Sequence, residues 1–306
     1  MADDATTDEA TTDDPGDRRG DELGFATDGR RVDAAEFAAI NARHWDDLAE
    51  AHDRGTGRFY DTDALIRGEN PLWRVEREGL ALGAPDGLDG LDVLHLQCHL
   101  AADAIHFARQ GARVTGLDAS LVALERAAAR AERCGVDVRW VRADASSPPH
   151  DLDGGFDLVW ATIGVTGWAH DLDRWTAACA RLLRPGGRLV LIDVHPLYGM
   201  FATVTPPVAD FPYGGGTVLA FDEGGSYDDP DAPVEATEAA VAAWDVGQHV
   251  AAAVRAGLTI EHLAEHTASE HDPRGMLTPE ADGSCRLRLG PGQPPVPLLF
   301  TLVARR

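Results

Sequence analysis

The side chains Gln97, Cys98 and His99 follow one another inside the run "VLHLQCHLAAD" (residues 93–103). The run reads as an apolar strand, a short loop and the start of a helix, the place where a βα turn meets a nucleotide-like ligand. The glycines that such a loop uses are absent. Asp118, with Ala119 behind it, ends the next strand about 20 residues on, the offset at which a carboxylate accepts from a ribose hydroxyl pair. Its charge disfavours a ribose 2′-phosphate. Asp118 can equally cap the helix that follows. Asp144, with Ala145, ends a third strand and either faces a ligand or forms the turn before "SSPP". A fourth strand delivers Trp160-Ala161-Thr162. His95 points to one face of a buried strand, as a ligand contact or a satisfied core histidine. His99 sits in the loop itself, and Cys98 reads as a small packed residue that offers its backbone.

A second set of candidates lies after strands four and five. "ATIGVTGWAHDLDRW" (161–175) places Trp168 and His170 just beyond the carboxyl end of strand four, where a ligand pocket would open. His170 and His195, the latter at the end of strand five, are possible bases near neutral pH or ordinary surface and strand-end residues. Tyr213 and Tyr227 either line a substrate and meet a cation through their ring faces, or pack an inserted β-ribbon. Trp45 and Trp73 either close over a ligand or anchor N-terminal helices. The chain contains no lysine, which excludes a P-loop lysine, a Schiff-base lysine and a Tyr-x-x-x-Lys pair. The twelve histidines and four cysteines show no metal-ligand spacing.

The elements that position these residues alternate. "DAAEFAAINARHWDDLAEAHDR" (33–54) is an amphipathic helix; shorter helices fit 61–68 and 72–82. From Leu91 onward the pattern is strand (91–96), helix ended by Gly111, strand (113–118), helix capped by Ser120 and ended by Gly135, and strand (136–144). It continues with a strand (156–164), a helix from Asp171, a "RPGG" turn and a strand "RLVLIDV". This rhythm predicts an α/β fold: a doubly wound, mostly parallel seven-stranded sheet with helices on both faces. An irregular, Pro- and Gly-rich insertion covers about 196–240. A capping box at Asp245–Gln248, a strand "LTIEHLAEH" and a final strand "VPLLFTLVARR" close the chain.

Composition bounds the rest. Hydrophobic residues make up 44% of the 306 residues, and no apolar run reaches membrane length. Residues 1–22 read as a disordered acidic tail without signal or transit character, residues 23–90 as a helical lid region, and residues 91–306 as the main domain. Acidic residues number 51 against 27 basic, a net charge of −24, which argues against nucleic acid as partner. Such a surface suits a salt-loving cytoplasm, where hydrated carboxylates keep a protein soluble.

The order of these segments resembles the class I, Rossmann-like S-adenosylmethionine-dependent methyltransferases, well over about 90–195 and more loosely beyond. Where that family has D-x-G-x-G-x-G, this chain has His95, Gln97, His99 and Ala101. "LHLQCH" resembles a subgroup with this variant loop, in which Gly would stand at 101. "LLRPGGRLVLID" (182–193) is the most family-like segment. The resemblance implies S-adenosylmethionine as cofactor, held by Gln97, Cys98, His99, Asp118, Ala119, Asp144, Ala145 and Ala161. It implies no metal, a small-molecule acceptor lined by Trp168, Tyr213 and Tyr227, and a monomer or homodimer. A ligand without phosphate relaxes the need for loop glycines. Ala101 is unstrained if φ is negative there and costs about 1 kcal/mol if φ is positive. A non-catalytic cofactor-binding protein of the same fold, a sensor or assembly partner, is the competing reading. A nicotinamide dehydrogenase is a third.

Overall fold

A computed structural model describes residues 27–54, 60–204, 207–222, 225–229, 232–272 and 275–306; the acidic tail of residues 1–22 lies outside them. The strands in chain order are β1 (Thr27–Arg30), β2 (Asp92–Leu96), β3 (Arg113–Asp118), β4 (Arg139–Arg142), β5 (Phe156–Thr162), β6 (Leu183–Val194), β7 (Phe201–Val204), β8 (Pro207–Ala209), β9 (Thr217–Asp222), β10 (Glu238–Ala243), β11 (Thr259–His266), β12 (Thr278–Pro279), β13 (Cys285–Arg286) and β14 (Leu299–Arg305). The helices are α1 (Ala34–Arg54), α2 (Thr62–Arg67), α3 (Arg74–Gly83), α4 (Ala102–Arg109), α5 (Leu121–Cys134), α6 (Leu172–Leu182), α7 (Pro196–Gly199) and α8 (Val246–Arg255).

Seven strands form the main sheet in the order β11-β14-β6-β5-β2-β3-β4. The pairs β6-β5, β5-β2, β2-β3 and β3-β4 are parallel, and β14 runs against both of its neighbours. The chain walks from β2 outward to β4, then returns to place β5 on the other side of β2. The switch point between β2 and β5 is where such sheets bind ligands. Alternation along β2 explains the layers. Val93 packs with Phe107, Leu124 and Val190 on one face, and Leu94 and Leu96 pack with Trp175, Cys179 and Leu182 on the other.

Helix α3 lies flat on β6 because two glycines one turn apart face it. A Cβ on Gly79 would meet Ile192 at 2.7 Å, and one on Gly83 would meet Val190 at 2.4 Å. This close approach carries the first turn of α3 to the carboxyl edge of the sheet. Helix α1 crosses above the same edge. It is tied to α5 by Arg126–Glu50 (2.6 Å) and Arg130–Asp53 (3.1 Å). Buried Asn41 ties it to the insertion, donating to the Ala240 carbonyl (2.8 Å) and accepting from the Ala240 amide (3.0 Å).

The insertion forms its own antiparallel sheet, β1-β9-β10. One of its strands therefore comes from the N-terminal region, which is not helical throughout. The third strand is shorter than the alternation over 136–144 predicts. Gly135 ends α5 with left-handed backbone, and the Val136 amide is used to close that helix on Ala131. "RPGG" is not a free turn but part of β6, because Gly186 and Gly187 exchange backbone hydrogen bonds with Arg306. The capping box at Asp245 and Gln248 opens α8 as its sequence implies.

Candidate functional site

The loop after β2 has an unusual backbone. Gln97 (φ 55°), His99 (φ 45°) and Ala101 (φ 58°) are the only non-glycine residues with positive φ among the described residues. They occupy the three positions at which the resembling family has glycine. Left-handed backbone costs a non-glycine residue roughly 1–2 kcal/mol, so the loop holds strain of order several kcal/mol. The fold stabilises it with backbone hydrogen bonds: Cys98 amide to Leu117 carbonyl (3.0 Å) and Ala101 amide to Cys98 carbonyl (2.7 Å).

Asp118 closes the loop from the next strand. One carboxylate oxygen accepts from the His99 amide and the other from the Ser120 amide, each at 2.9 Å. Burial raises its pKa, and the amides of Ser120, His99 and Ala119 pull it back down. A carboxylate offers about four acceptor positions, so the three amides leave room for an incoming hydroxyl. Asp144 is exposed, and its carboxylate accepts from the Ser146 amide (2.8 Å). The Asp118 carbonyl accepts from the Ala143 amide (3.0 Å), which keeps the two strand ends side by side. Ala145 and Ala161 are buried in the face opposite α4, so only their backbones reach the edge. Ala119 is exposed and its carbonyl accepts from Arg142.

Gln97 and Cys98 serve the loop structurally through their side chains. Gln97 donates to the Val165 carbonyl (2.9 Å) and accepts from the Trp175 indole (2.8 Å), spanning β2 and the loop after β5. Cys98 is buried against Gly116, and burial pushes its thiol pKa well up.

Above the loop, α1 contributes an aromatic roof. The Trp45 ring meets His99 edge-on at 5.2 Å and Trp168 at 4.9 Å, while His44 stacks on Trp168 at 5.9 Å. His99 Nε2 lies 2.8 Å from His52 Nδ1. His52 is 1% exposed, stacks on Tyr60 at 4.6 Å and has no partner for Nε2. Burial, with help from His44 and Arg130, holds its pKa at about 3; burial and then His52 hold His99 well below the usual histidine range. Both rings are therefore neutral. The Tyr227 hydroxyl joins that of Tyr60, and its ring lies 4.6 Å from His52.

The other sequence candidates are placed differently. Tyr213 is 44% exposed and makes no ring contact with this cluster. His170 lies edge-on to Phe37 of α1 at 5.4 Å, half-buried at the start of α6. His195 is buried and fully engaged: Nδ1 accepts from the Leu197 amide (3.1 Å), capping α7, and Nε2 meets Glu265 at 2.7 Å. Trp73 stands at the start of α3, beside His271.

Sequence reasoning missed three groups. His52, Tyr60 and their contact with His99 depend on α1 crossing the loop, which no spacing reports. Asp103 lies inside the run 93–103, and Glu76 is an acid in the first turn of α3 whose carboxyl is buried and accepts from the Trp73 amide (2.8 Å). Asp103 accepts from the Trp160 indole (2.8 Å) and the Thr162 hydroxyl (3.3 Å). Asp193, also missed, is buried and holds the loop after β5: it accepts from the amides of Gly164 (2.6 Å), Val194 (2.7 Å) and Thr166 (2.9 Å) and from the Thr166 hydroxyl (2.5 Å). Among the described residues no His/Cys/Asp/Glu group is arranged to hold a metal ion, and no helix is long and apolar enough to cross a membrane.

Residues 93–187, the loop, Asp118 and Asp144 among them, match the family of methyltransferase domains. Over this core the chain is similar to methyltransferase domains. The ubiquinone biosynthesis O-methyltransferase of Caulobacter vibrioides is 35% identical over 167 residues, 54% of this chain and 63% of that protein. The demethylmenaquinone methyltransferase of Mycolicibacterium gilvum is 34% identical over 154 residues, 49% of this chain and 62% of that protein. The chain thus spans somewhat less than two thirds of the length of these curated relatives. The fold matches that of a Burkholderia thailandensis 1,6-didemethyltoxoflavin-N1-methyltransferase, solved with its substrate and S-adenosylhomocysteine (TM-score 0.53, 16% identity, 92% of this chain and 94% of that one). The seven-stranded, doubly wound sheet here therefore shares its fold with that enzyme.

The residues at the switch point fit such a cofactor. Asp118, at the end of β3, keeps an acceptor position for a hydroxyl.

Proposed function

We propose that this protein is an S-adenosylmethionine-dependent methyltransferase acting on a small-molecule acceptor. The observation that carries the reading is the left-handed backbone at Gln97, His99 and Ala101. A loop that keeps a glycine shape without glycine holds strain, and such strain persists where a function needs the geometry. The variant wording "LHLQCH" is then a side-chain substitution on an unchanged backbone, as in the subgroup it resembles.

S-adenosylmethionine, when bound, supplies an electrophilic methyl group on a sulfonium. The protein's part is to bind, orient and exclude water. Asp118 would take the ribose hydroxyls, and Asp144 with the Ala145 backbone the adenine edge. The backbone of 97–101 and the amides opening α4 would hold the amino-acid end, with Ala119 and Ala161 lining the cleft through their backbones. Trp45 and Trp168 close over the loop and keep water out. Trp168, Tyr227 and the more distant Tyr213 would line the acceptor. His170 would be placed to take a proton from an acceptor hydroxyl, whereas His99 and His52, whose basicity burial suppresses, would shape the pocket as neutral rings. His195, with both nitrogens engaged, would position α7 rather than transfer a proton. Fixing the acceptor near the methyl supplies much of the rate, with effective molarities reaching ~10⁵ M or more.

The Caulobacter relative is named an O-methyltransferase, which supports an oxygen acceptor. The excess of acidic residues supports a small molecule over nucleic acid, and a salt-rich cytoplasm as the setting. Titration with S-adenosylmethionine in molar KCl, followed by assay of S-adenosylhomocysteine released with a metabolite extract, tests the proposal. Binding with turnover supports it. Binding without turnover across extracts leaves the sensor reading. Absence of binding sinks both.

A further inference from the structure

Two residues whose amides hold the Asp118 carboxylate are themselves held by α1. The His99 amide donates to one Asp118 oxygen and the Ser120 amide to the other, each at 2.9 Å. The His99 ring meets His52 of α1, Nε2 to Nδ1, at 2.8 Å. The Ser120 hydroxyl donates to Asp46 of α1 at 2.5 Å and accepts from the Ala123 amide at 3.0 Å. It therefore caps α5 and reaches α1 at once. Ser120 and His52 are buried, which keeps water from competing for these contacts. Between Asp46 and His52 on α1, Ala49 is fully buried with Leu100 and Ala123. A methyl group there lets the helix lie close enough for short side chains to reach the strand end.

Anchoring α1 does not require these contacts. The ion pairs Arg126–Glu50 and Arg130–Asp53 already fix it to α5, away from the loop. The contacts of Asp46 and His52 are additional, and they land on residues that grip opposite oxygens of Asp118. The same helix carries the insertion. Asp47 accepts from the amides of Glu235 and Ala236 (2.8 Å for the latter), and Asn41 pairs with the Ala240 backbone. The Tyr227 ring lies 4.6 Å from His52. One helix thus joins the setting of Asp118 to the segment that carries Tyr227.

We propose that Asp46 and His52 are positioning residues, which through Ser120 and His99 set the Asp118 carboxylate for the cofactor, and that cofactor binding is coupled to the seating of α1 and the insertion on the sheet. The inference rests on the cofactor reading above and adds what that reading does not require. The coupling is reciprocal: whatever the seat of α1 contributes to cofactor affinity, the cofactor returns to the seat of α1.

The test is a double-mutant cycle on the full chain in molar KCl, with S-adenosylhomocysteine affinity read by calorimetry. Asp46→Ala weakens binding about 5- to 10-fold, and by less than about 2-fold in an Asp118→Asn background, because the group through which it acts is altered. Asp46→Asn keeps an acceptor for the Ser120 hydroxyl and binds within about 2-fold of the wild type. Hydrogen exchange on the unmutated chain decides the same point should a variant fail to fold: S-adenosylhomocysteine slows the amides of α1 and of 235–240 together with those of 97–101. Equal losses from Asp46→Ala in both backgrounds make α1 an anchor without influence on Asp118 and overturn the proposal. So does an Asp46→Asn chain as weak as Asp46→Ala, or slowing confined to 97–120; each leaves the cofactor reading intact. A wild-type chain that binds no S-adenosylhomocysteine overturns both.

Discussion

Replacing Ala101 with glycine isolates the strain in the cofactor loop, provided Ala104→Gly is measured beside it. Ala101 is 2% exposed and Ala104 fully buried, and they sit at the start and in the first turns of the same helix. Both substitutions remove one buried methyl, about 0.8 kcal/mol. Both loosen the unfolded chain and cost about 1 kcal/mol for glycine relative to alanine. Ala104→Gly should therefore destabilise by about 2 kcal/mol. At Ala101 the same losses are offset by relief of a left-handed alanine, roughly 1–2 kcal/mol. The net change is then between about 0 and 1 kcal/mol, and the two variants differ by roughly 1–2 kcal/mol. Urea unfolding in molar KCl reads this as a shift in midpoint at constant slope. Equal destabilisation by the two variants would mean that residue 101 is not left-handed, and the argument from loop strain would fail.

Three further outcomes follow from the same geometry. Asp118→Asn should weaken S-adenosylhomocysteine binding about 10- to 100-fold, since hydrogen bonds to a charged group are worth ~1.5–3 kcal/mol; unchanged affinity by calorimetry would remove Asp118 from the ribose. His52 refuses a proton in the folded chain until about pH 3, whereas the unfolded chain binds one below pH 6.5, so stability falls as the pH drops through that window. Between pH 6.5 and 5 this ring alone is worth roughly 2 kcal/mol, and His52→Phe should lose that part of the slope in unfolding experiments; an unaltered slope contradicts the buried neutral ring. The acidic surface should make the chain more stable in molar KCl than in dilute buffer, and a melting temperature independent of salt contradicts that reading.

What could be read from the sequence was whatever local pattern determines. The strand-helix rhythm, the caps at Ser120, Asp171 and Asp245, and the acid at Asp118 are written in neighbouring residues, and the structure forms each element there. The sign of φ at Ala101 was not legible, because only glycine announces left-handed backbone and this loop has none. His52 and His99 are 47 residues apart, and only the packing of α1 on α5 brings them together. Glu76 is buried because Gly79 and Gly83 let α3 lie close against β6. Glu76 alone reads as an ordinary first-turn acid that caps a helix. The strand over 136–144 was overlong because alternation continues through residues whose amides the preceding helix end consumes.

The most direct test is a crystal structure of the chain with S-adenosylhomocysteine, grown at high salt. The account predicts the ligand across the switch point between β2 and β5, its ribose hydroxyls on the Asp118 carboxylate and its amino-acid end over residues 97–101, with φ still positive at Gln97, His99 and Ala101. A ligand bound elsewhere, or a loop relaxed to negative φ when it binds, would contradict it.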